Sequence, residues 1–495
     1  MSYFVSEGFM RIGAFLLSAV QFIAVPLCGM VSWAGIPQRI TVQPNRQYQV
    51  LESFGTSGAW WAQHVDCDET ADEIARLLYC QDTGLGLNLY RFNVGAGEYD
   101  NPNSRVAGGH WNLRRTQSFY VLNEETGEYE FDFTRDANAR RMLDLAIEYG
   151  ATQVILFAKS PHFSMTSSGH ASGALTSPTS NHPPETYQAY VDYFLHIADW
   201  FVAQGYPIFG ISPINEPQWG WGGDWVGQEG CHYKPEEMVA LMELFALEMQ
   251  KRGAEYELLG FESGDMSNAY TNYTDAYLGS EIIRDYVNYL SGHSYWMDND
   301  IFKKWWAGRR MARLYPDIKF EMTEWCELGV STDSPMFDSG IYQANIMIQD
   351  LTLLNAVSWQ SWVALNEDGV LNLVGNNGKI PDYENGVLTK YNRYWAFMHF
   401  SRFIQPGAQR VQVRDAFGPG SQLAKVAFTQ GDETVLVIVN NAVKPQDIRL
   451  GGDYNTMQWY VTDGQRECEQ AYDGQFIAGQ TLPARSINTF VLTER

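Results

Sequence analysis

The chain has 495 residues, with 58 acidic and 34 basic side chains and a formal net charge of −24. Hydrophobic residues make up 45% and charged residues 19%, a globular balance with room for one large domain and a smaller one, which excludes disorder as the default. So acidic a chain repels phosphate backbones, which argues against nucleic acid and for an uncharged or weakly charged partner, although solubility alone also accounts for the charge. The aromatic share is 14%, with 16 Trp and 28 Tyr, more than a core requires and suited to binding surfaces.

Residues 12–35, IGAFLLSAVQFIAVPLCGMVSWAG, form an apolar run preceded by Arg11. The run reads as an export signal, a membrane anchor or a start codon assigned upstream of Met30. Export predicts a secreted or cell-surface protein, and a mis-assigned start predicts a cytoplasmic one. Residues 1–36 are set aside from the fold. The six cysteines, Cys28, Cys67, Cys80, Cys231, Cys326 and Cys468, include no C-x-x-C pair, so a zinc site lacks support and one or two disulfides stay open. RITVQPNRQYQV (39–50) reads as a strand that joins a side domain.

Between about residues 51 and 404, short apolar runs alternate with stretches of helical period. Strands are predicted within 51–61, 87–97, 152–161, 208–217, 256–265, 287–296, 318–327 and 356–365. Helices are predicted at 139–150, 187–205 and 235–253, the last opened by Pro235 and closed by Gly253. Eight such repeats predict a (β/α)8 barrel. An open doubly wound sheet is the alternative, but GLGLNL (84–89) lacks the third glycine of a dinucleotide turn. From 405 to 495 the pattern alternates with period two, as in a small antiparallel β-sandwich. No repeat of fixed period or low-complexity tract is visible.

Barrel chemistry sits at the C-terminal strand ends. Glu216 ends the fourth predicted strand in ISPINEP (211–217), and Glu324 lies near the end of the seventh in MTEWCE (322–327). Strands four and seven lie across a barrel, so both carboxylates can enter one cleft, as glycosidic cleavage requires. Glu321 competes with Glu324, but a separation of three predicts opposite faces of the strand. Glu262 and Asp265, near the end of strand five, compete as well. A structural cap or ion pair is the bland reading of each carboxylate.

These motifs, with SFGTSGAWWA (53–62), LYRFNVGAG (89–97), the stretch beginning at Ser160, FSRFIQPG (400–407) and LPARSINTFV (482–491), resemble glycoside hydrolase family 30 from about residue 50 to the C-terminus. The resemblance implies a retaining enzyme without cofactor or metal, with Glu216 as acid/base and Glu324 as nucleophile. It further implies that Asn215 bonds the sugar 2-hydroxyl and that Arg91 keeps Glu324 ionised. Tyr295 would hydrogen-bond Glu324 with His293 nearby, and Trp362 would floor the subsite of the cleaved sugar. Arg91 also fits a structural ion pair, and His293 a packed core residue.

Sugar rings pack their C–H faces on indoles. Trp60, Trp61, Trp219, Trp221, Trp225, Trp296, Trp325, Trp359 and Trp362 fall at or just after strand ends. Of these, Trp61, Trp219, Trp221, Trp225 and Trp362 are taken as substrate-binding, and Trp359 and Trp362 cannot both face inward. WVGQEGCHY (225–233) resembles the β-1,6-galactanase branch of the family, which implies a galactan substrate. SPHFSM (160–165) departs from the family pattern, which predicts that His162 and Phe163 alter a pocket wall. Other readings are a β-1,6-glucanase, a xylan-active or exo-acting glycosidase, and an inactive sugar-binding barrel. Oligomeric state is not legible, and a membrane partner follows only if the N-terminal run is an anchor.

Overall fold

Each barrel strand is a short apolar run that stops at a polar or glycine-containing turn. A computed structural model of the chain describes residues 37–106, 113–224, 226–266, 272–298, 300–328, 336–365, 370–374, 386–415 and 421–494. Barrel strands one to three are Ser53–Ser57, Leu89–Asn93 and Gln153–Phe157. Strand four is Ile208–Ser212, continued after Pro213 by Ile214–Asn215, and strand five is Glu257–Leu258, continued by Phe261–Ser263. Strands six to eight are Tyr289–His293, Lys319–Trp325 and Ala356–Ser361. Each pairs in parallel with the next, and strand eight returns to strand one with Trp359 opposite Phe54. Pairing between strands four and five persists on both sides of their breaks, so the cylinder closes. The chain is a (β/α)8 barrel, and closure removes the doubly wound alternative.

The outer helices include Ala137–Tyr149, Tyr187–Ala203 and Pro235–Arg252. In the last, the Glu237 carboxylate accepts from the Lys234 N–H at 2.8 Å, and Gly253 closes the helix at φ +65°. No described helix is long and apolar enough to cross a membrane. No disulfide joins the five described cysteines.

The side domain is a nine-stranded sheet. Gln38–Val50 lies within it, antiparallel to Gln409–Asp415 and parallel to Gln446–Gly451, the one parallel pair in a sheet expected to be wholly antiparallel. Period two separates its faces. Val435, Val437 and Val439 join the barrel's core, whereas Leu436 and Ile438 join a second core with Ile40, Ile448, Leu482 and Phe490. That second core draws on strands from both ends of the sheet, so the sheet doubles over as a sandwich. His399, in the last barrel helix Asn392–Ser401, bonds Thr489 and Thr462 of the sheet at 2.8 Å each. Burial holds it down at about 3, so this junction is made by a neutral imidazole.

Candidate active site

Arg91, in strand two, projects into the barrel mouth against the Phe157 ring, 3.5 Å from its centroid. Its guanidinium reaches three strand ends. It donates to Glu324 at 3.1 Å, Glu262 at 2.8 Å and Asn215 at 3.3 Å. Glu324 also accepts from the Tyr295 hydroxyl at 3.2 Å. His293, the last residue of strand six, meets Glu216 with Nδ1 at 3.1 Å and Glu262 with Nε2 at 3.0 Å. With a carboxyl oxygen at each nitrogen, the ring is an imidazolium donating both ways.

The electrostatics follow from burial and count. Burial opposes a charged His293, but Glu324, Glu216 and Glu262 outweigh it and push the ring up to about 10. Burial opposes ionisation of Glu262, but Arg91, His293 and Thr323 hold it at about 2. Glu324 lies above the ordinary carboxylate range because it is buried and faces Glu216 and Glu262, against the pull of His293 and Arg91. Three carboxyl groups share two cations, so one proton is readily retained among them. Arg91 is therefore divided between Glu262 and Glu324, and burial with the neighbouring carboxyl groups raises Glu324 against the expectation that Arg91 keeps it ionised.

This network also sets a stability window. Glu262, depressed from 4.5 to about 2, contributes stability above 4.5 that is lost as pH falls through about 2. His293, raised from 6.5 to about 10, contributes stability below 6.5 that is lost as pH rises through about 10. The Glu262→Gln protein should lose about 3–5 kcal/mol, because two buried cations lose their shared partner. Its acid limb in a plot of denaturation midpoint against pH should flatten. An unchanged midpoint would contradict the network.

Strand seven carries a correction. Gly292 faces Met322 but His293 faces Glu324, and on the other side Met322 faces Trp359 while Trp325 faces Ser361. Both neighbours thus count one extra residue near Thr323, a bulge that re-aims the side chains after it. Thr323 donates to Glu262 at 2.5 Å inside the barrel, and Glu324 points into the same mouth. Glu321 is fully buried, and burial together with Glu52, Glu262 and Glu257 raises it far above the carboxylate range. Glu321 and Glu324 thus share the interior at different depths, not opposite faces.

Glu216 sits at φ +48°, a strained left-handed backbone for a non-glycine residue. Gly264 makes room for its carboxyl, since a Cβ there would lie 2.3 Å from Oε1. The Trp221 indole donates to the Glu216 carbonyl at 3.0 Å and lies on Gly230, where a Cβ would come within 2.4 Å of the ring. Trp219 meets Trp296 edge to face, with centroids 6.1 Å apart. The mouth opens into a cleft of about 600 Å³, lined among others by Asn215, Glu216, Trp219, Trp221, Glu324 and Trp362.

Two expected contacts do not form. Trp61 is fully buried and its indole folds back to donate to the Ser57 carbonyl at 2.9 Å, so Trp60 takes the place in the cleft expected for Trp61. His162 is buried beneath Tyr120 and Tyr129, its Nδ1 2.8 Å from Ser164, and it lines no cleft wall. Trp359 is core, bonded to Asp350 at 3.0 Å, and Trp362 faces the cleft. Trp225 lies outside the described residues.

Some site residues carried no clear sequence signal. Glu262 read only as a competitor, yet it anchors Arg91 and His293. Glu229, inside WVGQEGCHY, is buried and accepts from Thr116 at 2.5 Å and from the N–H groups of Ala96 and Glu98 at 3.3 Å each, tying the loop after strand four to that after strand two. Lys159, just past strand three, lies over Trp60 and Trp362. Glu216, His293 and Glu324 offer donor atoms within 4.8 Å of one another. A metal ion there would compete with Arg91 and the imidazolium, whose charges already occupy those oxygens.

A closed barrel whose strand ends bring two carboxyl groups into one aromatic cleft has the architecture of a barrel glycosidase. The chain belongs to O-glycosyl hydrolase family 30, whose family model matches residues 37–370. It is a glycosidase acting on β-linked glycans. It is similar to an endo-β-1,6-galactanase of Hypocrea rufa, 25% identical over 427 residues covering 83% of this chain and 82% of the relative. A conserved exported protein from Bacteroides fragilis shares the fold with a TM-score of 0.82 at 23% identity, over 92% of this chain and 100% of that one. An endo-β-1,6-glucanase shares it with a TM-score of 0.67 at 15% identity, over 92% and 94%.

Proposed function

We propose that the chain is a retaining β-glycosidase that hydrolyses β-1,6-linked galactan by double displacement. The carrying observation is the approach of Glu216 and Glu324, whose oxygens lie within 4.8 Å of each other. Retaining enzymes hold their carboxyl groups about 5 Å apart, whereas inverting ones leave a wider gap for water. Glu324, with Arg91 and Tyr295 donating to it, attacks the anomeric carbon as a carboxylate. Glu216 gives its proton to the leaving oxygen and then takes one from the attacking water. Bonded to Glu216, His293 steadies that carboxyl group through both transfers. Asn215, fixed by Arg91, presents its amide to the sugar 2-hydroxyl, and Trp362 supports the cleaved ring.

The galactan reading is supported by the similarity to the Hypocrea rufa enzyme and by the WVGQEGCHY segment. Protein lacking residues 1–36 should release galactose or β-1,6-galacto-oligosaccharides from arabinofuranosidase-treated arabinogalactan, separated by chromatography. Release from β-1,6-glucan or xylan instead would overturn the galactan reading and leave the glycosidase standing.

A further inference from the structure

A helix on the outside of a barrel turns an apolar stripe to the strands and a polar stripe to water. The helix that follows strand six, Ile301–Leu314, does the first and not the second. Its inner face buries Ala307, Gly308 and Met311. On its outer face Ile301 is 59% exposed, Phe302 71%, Trp305 42% and Trp306 41%. Positions 301, 302, 305 and 306 follow helical spacing, so these four side chains form one patch rather than scattered surface residues. The Phe302 and Trp305 rings lie within 28° of parallel with centroids 5.8 Å apart, and the Arg309 guanidinium stands 5.1 Å from the Trp305 centroid. Neither barrel closure nor the chemistry at Glu216 and Glu324 calls for this patch.

The patch is continuous with the cleft. In a (β/α)8 barrel the helix after a strand starts at the mouth, which puts Ile301 and Phe302 at the rim. Trp296, in the loop that leads into this helix, is 62% exposed and lines the cleft. Beside it opens a second groove of about 460 Å³, lined by Tyr295, Trp296, Asp298, Glu327, Leu328 and Tyr342. Tyr295, Trp296 and Leu328 belong to both, so a polymer can pass from cleft to groove over the Trp296 indole. Four apolar side chains on one helix fall short of the about 20–30 residues a side that a stable protein interface uses. An anionic lipid surface would be repelled by a chain of charge −24 with Asp298 and Glu327 in the adjoining groove. A neutral glycan finds aromatic faces for its C–H surfaces, carboxyl and guanidinium groups for its hydroxyls, and a path to the cleft. We propose that the outer face of Ile301–Leu314 is a second binding surface for a neutral β-glycan, holding the stretch of polymer that leaves the cleft over Trp296. The proposal rests on the family's action on β-linked glycans and is independent of the galactan reading.

The test measures binding without turnover. Affinity electrophoresis compares the Glu324→Gln protein with the same protein carrying Phe302→Ser and Trp305→Ser, in gels holding arabinofuranosidase-treated arabinogalactan, β-1,6-glucan or xylan. Whichever polymer retards the parent should be bound roughly tenfold more weakly by the variant, the scale of one or two lost ring contacts. Affinity for the disaccharide of that polymer, too short to leave the cleft, should stay the same by calorimetry. Trp306→Ser alone should weaken polymer binding by a smaller factor. The denaturation midpoints should match, because the substituted side chains are exposed. Equal polymer affinity of parent and variant, an equal fall in disaccharide affinity, or a parent retarded by none of the three polymers would overturn the second surface. A dimer in sedimentation, or binding to phosphatidylserine vesicles, that the substitutions abolish would also overturn it and give the face to a second copy or to lipid. Galactan turnover is read separately in the wild type, so its absence would strike the galactan reading, while retardation by another polymer would leave this surface standing.

Discussion

Glu324→Gln should lower kcat on a natural β-glycan by roughly 10⁴-fold or more while leaving the denaturation midpoint close to that of the wild type. The amide keeps the shape of the carboxyl and can still accept from Tyr295, which lies 3.2 Å from Oε1. What it removes is the anion that attacks the anomeric carbon. The fold survives because Arg91 retains Glu262 at 2.8 Å. Near-normal turnover by this variant would remove Glu324 as nucleophile. Glu262, bonded to Arg91, His293 and Thr323, would then be the next carboxylate to test.

Glu216→Ala should behave differently with different leaving groups. On a natural glycan the loss should be about 10²–10⁴-fold, the usual contribution of a positioned acid/base. On an activated aryl glycoside the first step needs little protonation, so the covalent intermediate should form and wait for water that no base activates. Azide should then restore turnover and yield the β-glycosyl azide. The cavity left by the side chain is adjacent to Gly264 and Trp219, where a small anion can enter beside His293. An α-azide, or no rescue at any azide concentration, would contradict the acid/base assignment.

The barrel was legible because its signals are local. Eight apolar runs spaced by amphipathic stretches dictate alternating strands and helices, and strand number then places residues 216 and 324 across the mouth. What escaped the sequence depends on neighbours far along the chain. The alternation that separates Glu321 from Glu324 holds only in a regular strand, and the bulge near Thr323 is visible only as a mismatch with strands six and eight. Adjacent Trp60 and Trp61 carry no local mark of which one lines the cleft; the turn Ala62–His64 and the Ser57 carbonyl decide it. His162 was read as a wall of the pocket because it departs from a family pattern, but the strand pair Tyr120–Leu122 and Tyr129–Phe131 contributes the tyrosines that cover it. The parallel pairing of Gln38–Val50 with Gln446–Gly451 joins segments about 400 residues apart in a chain of 495, beyond any local rule.

The central claim is double displacement on a β-1,6-galactan, and the anomer first released reports on it most directly. Proton NMR of a β-1,6-galacto-oligosaccharide digest, recorded before mutarotation, should show the new reducing end as the β-anomer, with the α-anomer growing in later. Initial release of the α-anomer would mean single displacement and contradict the roles given to Glu216 and Glu324.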